Sequence, residues 1–154
     1  MPVIDDPMRV PPREGSTYPE PFKSAVAGRI KRALTERLGL TQFGVNLTTL
    51  EPGGRSALRH WHENEDEFVY VLEGELTLVT KDGERILRVS QAASFPKGDR
   101  NGHCLINRSG RPATYLEIGT RSKEDRVEYP DEDLRAEKRD GRWHFLHKDG
   151  TPWE

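Results

Sequence analysis

A chain of 154 residues is the size of one average domain and is long enough to bury a core without disulfides. Its 24 Lys and Arg nearly balance 26 Asp and Glu, a formal charge of −2, which argues against a basic nucleic-acid-binding face and against a polybasic membrane anchor. No run approaches the roughly 18 apolar residues of a membrane span, Met1 to Pro12 lacks the regions of a secretory signal, and the single Cys104 has no intrachain partner, so a cytoplasmic protein is expected, with neither nucleic acid nor membrane as partner.

The chain divides into three stretches. In residues 1–40, a proline-rich segment from Met1 to Pro21 reads as an extended arm. After it, Val26, Ile30, Leu34 and Leu38 recur every four residues opposite a basic face, with Gly39 at a helix stop position. That spacing predicts a short amphipathic helix over Lys23–Leu38, with Gly28 an awkward residue inside it. Residues 41–120 change texture. Short runs rich in Val, Leu, Tyr and Phe (Gln42–Leu50, Glu67–Leu72, Leu76–Thr80, Arg85–Val89, Ala92–Phe95, His103–Asn107, Thr114–Ile118) are separated by turn sequences such as Pro52-Gly53-Gly54 and Asp82-Gly83. With no helix between them, they predict an all-β sandwich or barrel. Residues 121–154 form a charged extension whose Tyr129, Trp143, Phe145 and Trp153 need the barrel or a partner subunit to pack on.

The chemistry concentrates in His60-Trp61-His62-Glu63-Asn64-Glu65-Asp66-Glu67. On a strand, His60 and His62 point to one face and Trp61 to the other. Glu67, opening the next strand, and His103, opening a later one, could join the two imidazoles. Three His and one Glu make a mixed nitrogen and oxygen site for a divalent transition metal such as Fe, Mn, Ni or Zn. Glu63, Glu65 and Asp66 read as a solvated loop, Cys104 as a small buried hydrophobe, and His144 and His147 as surface residues.

Gly54, His60, His62, Glu67 and Gly74, with their spacing, resemble the first motif of the cupin superfamily. Pro96, Gly98, His103 and Asn107 resemble its second motif, except that Ser90 stands where the family has Gly and Asp99–Gly102 lengthens the turn before His103. The resemblance implies a double-stranded β-helix, the cupin jelly roll, with His60, His62, Glu67 and His103 as metal ligands near one mouth. By parity Val69 and Val71 then line the interior, whereas Phe68, Tyr70 and Leu72 face outward; Gly54 and Gly74 are expected at positive φ.

Such a site suits a small metal-dependent enzyme acting on a polar metabolite, either a sugar or sugar-phosphate isomerase or a dioxygenase. A non-catalytic binding or sensor module is the alternative. Tyr115 and Glu117 share one face of the last barrel strand and are candidates for substrate contact or proton transfer, with a plain exposed face as the competing reading. A phosphate would need a cation at the mouth, and Arg59, Arg100 and Arg121 lie near the motifs. The outward aromatic residues, the arm and the tail together suggest a homodimer.

Overall fold

A computed structural model describes residues 1–153. Its strands are β1 (Arg29–Ala33), β2 (Phe43–Leu50), β3 (Trp61–His62), β4 (Glu67–Glu73), β5 (Glu75–Thr80), β6 (Gly83–Arg88), β7 (Ala92–Phe95), β8 (His103–Ile106), β9 (Ala113–Thr120), β10 (Asp125–Tyr129), β11 (Leu134–Arg139) and β12 (Arg142–Leu146). They form a five-stranded sheet in the order β1-β2-β9-β4-β7, a three-stranded sheet β6-β5-β8 and a four-stranded sheet β12-β11-β10-β3. Every pairing is antiparallel. Among the described residues no helix is long and apolar enough to cross a membrane.

The first two sheets pack through one apolar cluster. Leu50, Val69, Val71, Ala113 and Tyr115 from the five-stranded sheet meet Leu76, Leu87 and Leu105 from the three-stranded one. These residues alternate along their strands, so each strand sends every second side chain inward. Phe68 and Leu72, of opposite parity on β4, are exposed. The cluster closes one end of the barrel. The other end is polar, and it is there that the site lies.

A second apolar cluster holds the chain ends to the barrel. Val127, Tyr129, Leu134 and Ala136 of the carboxyl-terminal sheet pack with Tyr18 and Val26 from the amino-terminal segment and with Leu58. Trp143, Phe145 and Trp153 complete it, so the tail aromatics pack within their own chain. Tyr18 is central, its ring meeting Tyr129 and Phe145 edge-on at centroid distances of 5.8 and 5.9 Å.

Two expectations need correction. The helix expected over Lys23–Leu38 is absent: Lys23–Val26 is one 3-10 turn, Glu36–Leu38 is another, and between them Arg29–Ala33 is strand β1. Its pairing with β2, Arg29 against Leu50 through Ala33 against Asn46, outweighs the four-residue spacing. Gly28 fits this arrangement because a Cβ there would lie 2.9 Å from the Gly54 Cα. The same contact corrects the reading of Gly54, which has no positive φ and serves close backbone approach instead; Gly74 does turn at φ +76°.

Candidate metal centre

His60 and His62 leave the loop that runs into β3, Glu67 is the first residue of β4, and His103 is the first of β8. The two histidine-bearing segments are tied directly: the His60 N–H donates to the His103 carbonyl at 3.1 Å and the His103 N–H returns a bond of 2.9 Å. The lengthened turn before His103 runs through Gly98 and Gly102, both at positive φ, and leaves this register intact.

Around Glu67 the three rings converge. Glu67 Oε2 lies 2.7 Å from His103 Nε2 and 3.5 Å from His60 Nε2, and Glu67 Oε1 lies 3.2 Å from His62 Nε2. Ligating atoms of His60, His62 and Glu67 all fall within 4.8 Å of one another, a group that could hold a metal ion. His103 stacks flat on Phe95 at 3.5 Å between centroids, which fixes its plane.

The outer nitrogens set the tautomers. His60 Nδ1 lies 2.8 Å from the Leu58 carbonyl and His62 Nδ1 lies 2.6 Å from Asp125 Oδ2. Both partners only accept, so both Nδ1 atoms carry hydrogen and both neutral rings turn an Nε2 lone pair toward Glu67. Glu67 Oε2 is itself buried without a hydrogen-bond donor in proper geometry. Lone pairs facing a donorless carboxylate need a positive charge between them, and a divalent cation satisfies that need. Without one, protons do so. Burial alone would lower the His62 pKa, but Asp125 and Glu67 outweigh it and raise it to about 10. Burial also works to raise Glu67, yet His60, His103 and His62 hold it well below the usual carboxylate range. For His103 burial prevails, and its pKa is lowered.

A cavity of about 750 Å³ opens from this cluster. Its sheet wall consists of cross-strand rows on the inner face. Gly44, Gly119 and Glu67 form the outermost row, Asn46, Glu117 and Val69 the next, and Thr48, Tyr115 and Val71 the one below. Tyr115 and Glu117 therefore face the interior, not an exposed outer face. Glu117 Oε1 accepts from Asn46 Nδ2 at 3.2 Å and pairs with Lys31 Nζ at 3.4 Å. Burial pushes the Glu117 carboxyl up, but Lys31 and Asn46 more than offset it and keep the group below its ordinary value. The hydroxyls of Tyr115 and Thr48 are buried without partners, and burial raises the Tyr115 pKa well above 10. A smaller recess of about 180 Å³, lined by Trp61 and Phe95, reaches Glu67 and His103 from the other side.

The solvated loop expected at Glu63–Asp66 is wrong for Glu65. That side chain is buried and accepts from the Ser122 backbone and from Lys138 Nζ at 2.9 and 3.0 Å, because the carboxyl-terminal sheet folds over it. Asp125 and Lys31 were missed from the sequence. Cys104 is buried, His144 is exposed, and His147 pairs with Asp133 and stacks on Trp153 away from the site. Of the cations near the motifs, Arg59 is held by Asp131 and the Asn101 carbonyl, and Arg100 lies over the Trp61 ring. Only Arg121 of the three lines the cavity.

A family model for the cupin domain matches residues 46–119. Among solved structures, a sugar phosphate isomerase of the cupin superfamily from Silicibacter pomeroyi is 43% identical, with a TM-score of 0.92 over 97% of this chain and 95% of that one. A protein from Acidithiobacillus ferrooxidans, assigned provisionally as a sugar phosphate isomerase, is 27% identical, with a TM-score of 0.81 over 92% of this chain and 88% of that one. The polyketide cyclase RemF from Streptomyces resistomycificus, 21% identical, shares the fold with a TM-score of 0.62 over 79% of this chain and 81% of that one. No curated protein matches the sequence. The motif spacing, the all-β fold and these similarities agree: the chain belongs to the cupin superfamily.

Proposed function

We propose that this protein is a metal-dependent isomerase that interconverts an aldose phosphate and a ketose phosphate. One observation carries the reading: a cluster of three imidazoles and a carboxylate opens onto a cavity whose next row holds an ionised Glu117 paired with Lys31. Similarity to the S. pomeroyi and A. ferrooxidans proteins supports the substrate class.

In this reading His60, His62, Glu67 and His103 hold a divalent transition metal, which supplies Lewis-acid polarisation of the substrate carbonyl. Proton movement falls to the protein. Aldose–ketose isomerisation moves a proton from the hydroxyl-bearing carbon beside the carbonyl to the carbonyl carbon, and the proton of that hydroxyl to the carbonyl oxygen. Glu117 lies two residues along the strands from the Glu67 row, about 7 Å. Lys31 and Asn46 keep its carboxylate ionised, as a base must be before it accepts that proton. Tyr115, fully buried in the row below Glu117, stays protonated at neutral pH and forms part of the floor beneath that row.

The test is metal analysis of the purified protein together with proton NMR of sugar phosphates in deuterated water. Stoichiometric metal, lost in the His60→Ala/His62→Ala double variant, and deuterium entering the carbon next to the carbonyl support the reading. Metal with tight sugar-phosphate binding but neither exchange nor turnover would instead mark a binding module.

A further inference from the structure

The cavity is lined by six cations, Arg13, Arg29, Lys31, Arg121, Lys123 and Lys138. Three already have carboxylate partners: Arg13 pairs with Glu36, Lys31 with Glu117 and Lys138 with Glu65. Arg29 spends one nitrogen on the Ser56 carbonyl at 2.7 Å. Arg121 and Lys123 make no ion pair among the described residues.

Arg121 differs from an ordinary surface arginine in how it is seated. Gly44 and Gly119 are cross-strand partners in the outermost row, beside Glu67, and the guanidinium lies over them. A Cβ built on Gly44 would stand 2.1 Å from Arg121 Nη2, 2.4 Å from Cζ and 2.8 Å from Nε. One built on Gly119 would lie 3.5 Å from Arg121 Nη1 and 3.9 Å from Glu67 Cγ. The missing side chain of Gly44 thus leaves the space that the guanidinium fills, with Gly119 in ordinary contact alongside, next to the residue at the centre of the histidine cluster. Its one internal hydrogen bond is a long 3.4 Å contact from Nη1 to the Thr120 carbonyl. The Nε and Nη2 donors, which can bind two oxygens of one anion side by side, have no acceptor among the described residues.

We infer that Arg121, seated in the space left by Gly44 with Lys123 beside it, is the phosphate-recognition group of the cavity, taking the phosphate-ester end of a substrate whose other end reaches the histidine cluster. The inference rests on the sugar-phosphate reading above for its substrate class. It makes Gly44 a specificity residue with no contact of its own: the glycine leaves room for the arginine.

Calorimetric titration of the metal-loaded protein with fructose 6-phosphate, inorganic phosphate, fructose and gluconate tests it, using Arg121→Ala, Arg121→Lys and Gly44→Ala. The Gly44→Ala variant keeps the charge and displaces it, at small cost to the fold, because the three nearest atoms all belong to the flexible guanidinium. Fructose 6-phosphate should bind about 10- to 100-fold more weakly to Arg121→Ala and Gly44→Ala, with Arg121→Lys in between and metal content unchanged. Fructose affinity should not move, and gluconate should lose less than the ester. The inference is overturned if either displaced variant keeps wild-type affinity for fructose 6-phosphate, if the loss falls on gluconate instead, or if wild-type protein binds neither phosphate probe. Isomerase turnover untouched by both substitutions would remove this inference and leave the isomerase reading. Arg121-dependent phosphate binding in a protein without turnover would do the reverse.

Discussion

Replacing Asp125 by Asn asks whether the carboxyl-terminal sheet prepares the candidate metal centre. The Asp125 carboxylate is fully buried; one oxygen accepts from His62 Nδ1 at 2.6 Å and the other from the Asn64 backbone at 2.9 Å. Asn has the same shape, and its amide oxygen can keep the Asn64 bond, which places the amide nitrogen against His62 Nδ1. An NH2 group cannot accept a hydrogen bond. The contact survives only if Nδ1 gives up its hydrogen, which then sits on Nε2, the atom facing Glu67. Metal capture from that tautomer must first break the new hydrogen bond or turn the ring. Losing the outer partner of a ligating histidine typically lowers metal affinity about 10- to 100-fold, or roughly 1.4 to 2.8 kcal/mol. The loss should stop short of abolition, because Leu58 still orients His60 and Phe95 still fixes His103. Zinc titration against a chromophoric chelator measures the affinity, and a thermal melt of metal-free protein shows whether the fold is intact. A folded Asp125→Asn variant with wild-type zinc affinity would refute the orienting role.

Glu117→Gln should lower kcat about 10²- to 10⁴-fold with metal content unchanged, as expected for loss of a general base; full activity would place the proton transfer elsewhere. The same pair of proteins gives a pH signature in denaturant unfolding. Glu117 has a folded-state pKa below its ordinary 4.5, so its contribution to stability is present above that value and fades as pH falls through the folded one. The stability difference between wild type and Glu117→Gln should therefore be largest near neutrality and shrink below about pH 4; a difference constant down to about pH 3 would exclude the depressed carboxylate. Ser90 sits at φ +69°, where a side chain costs about 1–2 kcal/mol. After the unfolded-state entropy of Gly is deducted, Ser90→Gly should still gain about 0.5 kcal/mol and raise Tm by one or two degrees, whereas a lower Tm would mean that the serine is not strained.

The barrel strands were legible because their residues alternate and their turns are punctuated by glycine, as in β2, β4, β5 and β9. Strand β1 was not, and the reason is chemical. Its inward residues are Arg29 and Lys31, which face a polar cavity, so the alternation that marks a half-buried strand is reversed there. What remained visible was the four-residue spacing of Val26, Ile30, Leu34 and Leu38, a pattern that runs through two 3-10 turns, strand β1 and the connection at Leu34. The carboxyl-terminal sheet had a readable signal, obscured by charge. Asp140 and Gly141 both have positive φ and connect Arg139 to its partner Arg142, the two-residue turn that an Asp-Gly pair favours in a hairpin. Val127 and Tyr129, then Leu134 and Ala136, supply the alternation on the buried side.

The site follows the same division. Side chains close in sequence can be related before any fold is known: His60 and His62 by strand parity, and Glu67 by its motif spacing from them. Asp125 reaches the site through β10 against β3, Lys138 through β11 against β10, and Lys31 through β1 against β2, pairings that sequence spacing does not encode. The electrostatic state depends on those distant residues. Asp125 places the hydrogen on the outer nitrogen of His62, Lys31 keeps Glu117 ionised, and Lys138 neutralises the buried Glu65 beside them. Carboxylates at positions 65, 67 and 117, all lining one cavity, would repel one another. Each is therefore matched by a cation or imidazole supplied from another part of the chain. Among the described residues Arg121 and Lys123 are the lining cations at the mouth that no carboxylate matches.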